Sequence, residues 1–200
     1  MDAKRIVPVL TVREGRVVDP LTGGAQGTPS RWARRMELEG ADELLFLCPD
    51  GPDALGWITA VARSLFIPFA VDTPADPRIP LDLGADRVIL SGARLRSLGA
   101  SLGRSRVLGV LDLALSRVAV ERAIGDGAGE LLLQATGQDV ATVGERCARL
   151  SVPVLLRTTD PLGAAQALVH GADGLAYPSA KGSPRALKAC LSGAGLVFRS

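Results

Sequence analysis

EGADELLFL, residues 39–47, returns three times with variations along this chain: as LGADRVILS (83–91), DGAGELLLQ (126–134) and HGADGLAYP (170–178). The glycines of the four copies, Gly40, Gly84, Gly127 and Gly171, are spaced 44, 43 and 44 residues apart. Each glycine follows a helix-like stretch and precedes an apolar run, which is typical of a helix that ends in glycine and leads into a buried strand. A repeat of about 44 residues has room for two strands and two helices, so four repeats predict eight strands.

A second set of apolar runs supplies the intervening strands: RIVPVLTV (5–12), IPFAV (67–71), RVLGVLD (106–112) and VPVLLR (152–157). Helical candidates lie between them, among them SRWARRMELEG (30–40), DALGWITAVARSL (53–65), TVGERCARL (142–150) and PRALKACLSG (184–193). Regular strand and helix alternation predicts a parallel sheet, and eight units favour a compact (β/α)8 TIM barrel in a single domain of residues 1–200. An open doubly wound sheet is the alternative, because periodicity alone does not prove closure.

Composition excludes several classes of function. The chain has 200 residues, 47% of them hydrophobic, with 23 basic and 21 acidic side chains and no basic cluster interleaved with aromatics, so we expect no nucleic-acid binding. Its three cysteines and single histidine have no metal-ligand spacing, and we expect no metal and no cofactor. We find no signal-peptide core and no apolar stretch long enough to span a bilayer, which predicts a soluble cytoplasmic protein.

Charged residues recur at the predicted strand starts. The third residue after each repeat glycine is Glu43, Arg87, Glu130 and finally Gly174, which has no side chain. Arg5 opens the first strand, next to that vacant place in a closed barrel. Because strand starts lie together at the bottom of such a barrel, these residues predict a ring of two acids and two bases. The alternative is four unrelated, solvated charges.

The predicted strand ends lie at the opposite face, the top, where barrel enzymes carry their chemistry. Side chains two residues apart share a face of a strand, so Arg5 and Thr11 fall in one row and Arg106 and Asp112 in another. Thr11 and Asp112 then face each other across the top. Two carboxylates there would suit general acid and base catalysis, but a threonine hydroxyl cannot act as a general base at its ordinary pKa.

Several stretches resemble the HisF family, the cyclase subunit of imidazole glycerol phosphate synthase in histidine biosynthesis: KRIVPVLTVREGRVVD (4–19), EGADELLFL, IPFAV, LGADRVILS and GAGELLLQ (127–134). The resemblance is strong to about residue 91 and weaker beyond it. It implies a barrel whose top closes and cleaves a phosphorylated intermediate with ammonia from a glutaminase bound at the bottom. The family's two catalytic aspartates fall on Thr11 and Asp112, so one of them is replaced.

Other departures from the family also lie at the top. A family lysine is Asp19 here, and an aspartate usual at the end of the second strand is Cys48. Two glycine-rich turns that hold substrate phosphates in the family are replaced by VDTPAD (71–76) and RTTDP (157–161). Proline removes a backbone donor and Asp72 repels phosphate.

At the bottom of the barrel, the residues that the resemblance implies are present. Arg5, Glu43, Arg87 and Glu130 fall on the family's charged gate ring, and Asp86 falls on a position that contacts the glutaminase. A glutaminase-type subunit is therefore the implied partner.

Five residues after the last two strands are candidates for binding a phosphorylated small molecule: Arg157, Thr158, Thr159, Ser179 and Lys181. The family resemblance implies a phosphate contact for Ser179. The alternative, which we favour, is that Thr159 or Asp160 caps the next helix and that SAKGSP (179–184) is a polar turn.

Three further residues have a structural alternative to catalysis. Asp72 could join Asp112 as a new acid pair, or each could cap a helix. Cys48 could be a nucleophile or simply a small packed side chain, and His170 could interact with a helix dipole.

Two functions remain open. The first is a HisF-like barrel without cyclase activity that acts as a non-catalytic or partner-binding relative. The second is a weakened or altered lyase or cyclase that acts on a phosphorylated metabolite with Asp112.

Overall fold

The computed structural model describes residues 3–20, 22–51, 54–112, 117–134 and 140–198. Within these residues, ten strands follow one another: β1 (Arg5–Arg13), β2 (Arg16–Val18), β3 (Ala25–Gly27), β4 (Leu44–Leu47), β5 (Phe69–Asp72), β6 (Arg87–Ser91), β7 (Val107–Asp112), β8 (Glu130–Gln134), β9 (Val154–Arg157) and β10 (Gly174–Pro178). All except β2 and β3 are parallel neighbours, and β10 pairs with β1. Because the sheet closes on itself, the protein is a (β/α)8 TIM barrel and the open-sheet alternative is wrong.

In the same described residues, each barrel strand is followed by a helix: α1 (Pro29–Leu38), α2 (Trp57–Ser64), α3 (Arg78–Asp82), α4 (Gly92–Leu102), α5 (Arg117–Gly125), α6 (Val140–Cys147), α7 (Ala165–His170) and, after the last strand, α8 (Pro184–Ser192). Short 3-10 turns occupy Arg104–Arg106 and Ser179–Lys181. In the described part of the chain, no helix is long and apolar enough to cross a membrane.

The repeat glycines lie where a helix turns back into the barrel. Gly40, Gly84, Gly127 and Gly171 follow α1, α3, α5 and α7, and their φ angles are 86°, 107°, 109° and 142°. Side chains rarely adopt positive φ, so glycine lets the chain leave each helix within a few residues of the next strand.

Alternating residues of each strand divide the core into two layers. The inner layer fills the barrel with small and medium apolar side chains: Val7, Val9, Leu45, Ala70, Ile89, Leu108, Leu132, Leu155 and Ala176. The outward-facing residues, such as Ile6, Leu10 and Phe46, pack against the helices. The strand period of two therefore fixes which polar residues point into either end of the barrel.

Aspartates of the repeated GAD sequence hold the starts of the strands together. Their Oδ2 atoms accept backbone N–H groups of the preceding barrel strand, in three pairs: Asp42 with Ile6 at 2.7 Å, Asp86 with Phe69 at 2.9 Å, and Asp173 with Val154 at 2.7 Å. The third repeat has Gly129 instead, where a Cβ would lie 2.0 Å from the Arg104 carbonyl oxygen. A close backbone contact thus replaces the aspartate in that repeat.

The antiparallel hairpin β2–β3 extends β1 beyond the top of the barrel. Glu14 and Gly15, which both have positive φ, form the two-residue turn between Arg13 and Arg16. The Asp19 carboxylate accepts the Thr22 backbone N–H at 3.1 Å and the Gln26 side-chain amide at 3.3 Å. Asp19 therefore supports the turn between β2 and β3.

Candidate functional site

Four charged side chains form a closed ring at the bottom of the barrel. Arg5 contacts Glu43, with Nη1 to Oε2 at 3.4 Å, and also contacts Glu130, while Arg87 contacts both acids. The four side chains, in the order Arg5, Glu43, Arg87 and Glu130, are 12%, 2%, 14% and 6% exposed. We call this set the bottom ring.

The electrostatics of the bottom ring favour its ionised form. Burial alone would raise the pKa of Glu130, but hydrogen bonds and charges from Arg5 and Arg87 outweigh it and leave that pKa below its ordinary value. Alternating signs therefore allow four charges to be buried together at neutral pH.

Gly174 makes room for the fourth member of the bottom ring. It pairs with Arg5 in the β1–β10 register, and a Cβ at residue 174 would lie 2.7 Å from the Arg5 carbonyl oxygen. Arg87 and Glu130 open their strands and Glu43 directly precedes β4, whereas the corresponding Gly174 has no side chain, so Arg5 of the adjoining strand completes the ring.

The mouth, meaning the inward-facing residues at the strand ends, is built from two runs of neighbours. Strand register places Leu47 between Thr11 and Asp72 on one side. On the other side it places Gln134 between Asp112 and Arg157. Polar groups therefore face the mouth from several strands.

Asp72 and Arg157 are the charged mouth residues whose side chains the structure describes. Burial raises the pKa of Asp72, partly opposed by the nearby Arg94 and Arg157 guanidinium groups. Burial likewise lowers the pKa of Arg157, partly opposed by Asp72. The two groups attract each other in a poorly solvated space above the apolar core.

The predicted acid and base positions fall at the ends of β1 and β7. Thr11 is partly buried, and as a neutral hydroxyl it can donate and accept hydrogen bonds. The backbone of Asp112 ends β7, four strands from β1 around the barrel, and its side chain lies outside the described part of the chain. β1 thus contributes no carboxylate at Thr11.

Three proteins are similar to this chain in sequence, and all are named imidazole glycerol phosphate synthase subunit HisF. That of Natranaerobius thermophilus is 36% identical over 109 residues, which are 48% of this chain and 43% of the relative. The Solibacter usitatus protein is 38% identical over 128 residues, 58% of this chain and 50% of the relative. The Oleidesulfovibrio alaskensis protein is 35% identical over 144 residues, which are 64% of this chain and 55% of the relative.

Over the matched residues the chain is similar to HisF subunits, and it differs from them at about two thirds of those positions. It spans about half the length of the curated relatives that it matches. No family model matches the sequence.

Solved structures agree with the HisF-like barrel in fold. Dihydropteroate synthase from Xanthomonas albilineans, in complex with 7,8-dihydropteroate, has a TM-score of 0.71 at 19% identity and covers 97% of this chain and 93% of its own. Dihydropteroate synthase from Thermus thermophilus has a TM-score of 0.64 at 21% identity, and the match covers 97% of this chain and 94% of that enzyme. At these identities the similarity concerns the barrel alone.

At the bottom of the HisF-like barrel, Asp86 is exposed but is also part of the fold. Its Oδ2 accepts the Phe69 N–H, so one oxygen is already engaged. A substitution at Asp86 therefore tests a partner contact only if it retains an acceptor for the Phe69 N–H.

Of the phosphate-site candidates after β9, Thr158 already has a partner within its own turn. Its hydroxyl donates to the Asp160 carbonyl oxygen at 3.1 Å and accepts the Asp160 N–H at 3.0 Å. The Asp160 carboxylate accepts the Gly163 N–H at 3.0 Å, while Thr159 is exposed. Asp160 thus stabilises the turn that precedes α7, whose N-cap is Ala164 with no side-chain cap, so the helix cap predicted at Thr159 or Asp160 is wrong.

The candidates after β10 lie in the 3-10 turn Ser179–Lys181. Ser179 is partly buried and Lys181 is exposed. This turn adjoins the end of β9, since the Thr158 N–H donates to the Ala176 carbonyl oxygen at 2.9 Å. The structure therefore places the two groups of candidates at neighbouring strand ends.

The surroundings of Cys48 and His170 favour a structural role over a catalytic one. The Cys48 thiol is buried and its pKa is raised by burial, which disfavours the thiolate needed by a nucleophile. His170 is the exposed last residue of α7, near the negative end of the helix. In the described ranges, no cluster of three or more histidine, cysteine or acidic residues could hold a metal.

Two residues near the mouth, Gln134 and Arg94, were not among the sequence candidates. Gln134 follows Glu130 and Leu132 on one strand face, so the period of two was a sufficient signal for it. The Arg94 guanidinium donates to the carbonyl oxygens of Thr73 and Ala75. No local pattern predicts this contact, because its acceptors are backbone groups of another loop.

Proposed function

We propose that this chain is a HisF-like pseudoenzyme, a barrel that binds a protein partner through its bottom face and does not perform the family's cyclase reaction. The observation that carries the proposal is the contrast between the two ends. The bottom ring is complete, whereas Thr11 stands where the family resemblance implies a catalytic carboxylate.

Stability alone does not account for the bottom ring. Burying four charges has a large desolvation cost, and apolar side chains of similar size often stabilise such a place equally well or better. A role for the bottom face supplies a reason to keep Arg5, Glu43, Arg87 and Glu130. The family resemblance suggests a glutaminase-type subunit as the partner.

Exposed apolar groups add to the bottom face. Phe66 lies in the loop before β5 and is 90% exposed, and Leu38 ends α1 and is 61% exposed. Glu37 links the two segments by accepting the Phe66 N–H at 2.7 Å, and the Arg34 guanidinium lies 5.7 Å from the Phe66 ring centroid. An ordered, exposed aromatic side chain is typical of a protein contact.

The top of the barrel supports the loss of cyclase activity. A single hydroxyl in place of a general acid or base weakens catalysis by about 100-fold to 10,000-fold. Asp19 adds a negative charge where the resemblance implies a lysine, and it is engaged in holding the hairpin turn. VDTPAD and RTTDP lack the backbone flexibility and free donors of glycine-rich phosphate turns.

Binding to a purified glutaminase subunit of a HisF-type synthase tests the proposed partner. Phe66→Asp is expected to weaken binding by about tenfold or more, because it places a charge at the contact. Leu162→Asp is the matched control, since Leu162 is 56% exposed in the top loop before α7. Equal binding by the two variants, or no binding by the unmodified chain, would contradict the proposed partner.

Asp86 provides a second variant pair at the bottom face. Asp86→Asn keeps an oxygen that can accept the Phe69 N–H but removes the charge, whereas Asp86→Lys removes both. A charge contact with the partner predicts weaker binding by Asp86→Asn with an unchanged melting temperature. If only Asp86→Lys weakens binding, and it also unfolds the barrel, Asp86 is structural.

A weakened or altered lyase is the second candidate. Asp112 ends β7 at the mouth, and the raised pKa of Asp72 lets that carboxyl hold a proton closer to neutral pH than an ordinary aspartate does. This candidate predicts an ordered phosphate near Ser179 and Lys181 in a phosphate-soaked crystal. It also predicts turnover that depends on Asp112.

A further inference from the structure

Asp72 and Arg157 face each other across the mouth. Asp72 ends β5 and Arg157 ends β9, and four steps separate these strands in either direction around the closed sheet. Each lies two residues after an inner-layer residue, Ala70 and Leu155, so both side chains point into the barrel. Asp72 lies in VDTPAD and Arg157 in RTTDP, the two turns that replace the glycine-rich phosphate turns of the HisF family.

No direct ion pair joins these two described side chains, although each influences the other electrostatically. Arg94, the other positive charge close to Asp72, is already engaged with the carbonyl oxygens of Thr73 and Ala75. Among the described side chains, the Arg157 guanidinium has no hydrogen bond or ion pair, so its N–H groups can donate to a ligand.

Burial makes this separation unfavourable. It lowers the pKa of Arg157 and raises that of Asp72, so each charge has lost water that the other does not fully replace. Beneath them lie apolar side chains such as Leu132 and Leu155. A molecule between the two groups would supply the missing opposite charges.

We propose that the mouth binds a small zwitterion, an amino-acid-like molecule whose carboxylate contacts Arg157 and whose ammonium group contacts Asp72. A phosphate dianion suits the site less well, because Asp72 repels it, and a simple cation is repelled by Arg157. Thr11 and Gln134 add a neutral hydroxyl and amide at the same level of the mouth. The site lies at the opposite end of the barrel from the bottom face, so it does not depend on the proposed partner.

Calorimetric and thermal-shift titrations of the whole chain test the proposal. The probes are the standard amino acids, together with acetate, methylammonium and inorganic phosphate at equal ionic strength. At least one amino acid is expected to bind and to raise the melting temperature, while acetate and methylammonium do not. Amidation of its carboxylate or acetylation of its amine should abolish the effect.

Substitutions assign the two contacts. Arg157→Gln and Asp72→Asn are each expected to weaken the binding of the tightest-binding amino acid by about tenfold or more, because each removes one charge-assisted contact. Arg96→Gln and Asp82→Asn, which change exposed residues of α4 and α3, should leave its affinity unchanged.

Three outcomes would overturn the proposal. The first is that no amino acid binds. The second is that both site variants bind the amino acid as well as the unmodified chain does. The third is phosphate binding that requires Arg157 and becomes tighter in Asp72→Asn, which would identify an anion site instead.

Discussion

Arg5 and Gly174 pack so closely that a Cβ at residue 174 would lie 2.7 Å from the Arg5 carbonyl oxygen and 2.9 Å from the Arg5 Cβ. Arg5 can therefore join the bottom ring only because residue 174 has no side chain. Gly174 and Arg5 are partners in the pairing that closes the barrel.

Gly174→Ala should therefore destabilise the protein. Overpacking of this kind typically costs about 1–3 kcal/mol of unfolding free energy, measured by chemical denaturation. Gly125→Ala is the control, because a Cβ at the end of α5 meets nothing within 4 Å. Equal stability of the two variants would show that the barrel relaxes around residue 174.

Glu130→Gln should destabilise the fold strongly at neutral pH. It leaves Arg5 and Arg87 buried with one acid fewer, and breaking such a buried pair costs about 3–5 kcal/mol. Denaturation of Glu130→Gln beside Glu145→Gln, an exposed substitution in α6, measures the difference.

The pH dependence of the same variant follows from the lowered pKa of Glu130. A carboxyl with a lowered pKa in the folded state contributes stability above its ordinary pKa of 4.5, and that stability is lost as the pH falls through the folded-state pKa. The difference between wild type and Glu130→Gln should therefore shrink in acid. A constant difference from neutral to acidic pH would argue against an ionised ring.

The sequence predicted the barrel because the strand period and the repeat glycines act locally. Strand starts at Arg87, Glu130 and Gly174 fall where the repeat places them. Arg106 does not open β7 as expected, since it lies in a 3-10 turn. The cause is tertiary: Gly129 allows the Arg104 backbone to approach the next strand start, and no local signal reports that contact.

The candidate site was predictable only in part. A period of two places Thr11, Asp72 and Arg157 at the mouth, and the same rule applied to Glu130 would have added Gln134. It could not show that Asp72 and Arg157 lack a direct ion pair, because their separation depends on the width of the closed barrel. The hairpin β2–β3 was also missed, since each strand has three residues and few buried ones.

Glu14→Asn should stabilise the hairpin turn between β1 and β2. Glu14 has φ of 48°, a conformation that asparagine tolerates better than glutamate, and its backbone N–H to Asp50 is retained. We expect a gain of up to about 1 kcal/mol in unfolding free energy, since the left-handed conformation costs an ordinary side chain about 1–2 kcal/mol and asparagine relieves part of it. Glu14→Gln removes the same charge without easing the backbone, so an equal gain there would assign the effect to charge.

Asp72→Asn should make the ligand-free protein more stable at neutral pH. Because the folded-state pKa of Asp72 is raised, its stabilising contribution is present below its ordinary pKa of 3.8 and is lost as the pH rises through the folded-state pKa. Denaturation at several pH values should show the gain over wild type disappearing in acid. A variant less stable than wild type at neutral pH would mean that attraction by Arg94 and Arg157 outweighs the cost of burial.

The most direct test of the central claim is the rate at which the purified chain converts the imidazole glycerol phosphate precursor with ammonia. Because Thr11 supplies no carboxylate opposite Asp112, and because Asp19, VDTPAD and RTTDP also replace the groups that the resemblance implies for binding substrate phosphates, we predict a rate no higher than the uncatalysed background. A rate clearly above background that disappears in Asp112→Asn would contradict the account and identify the chain as an active cyclase.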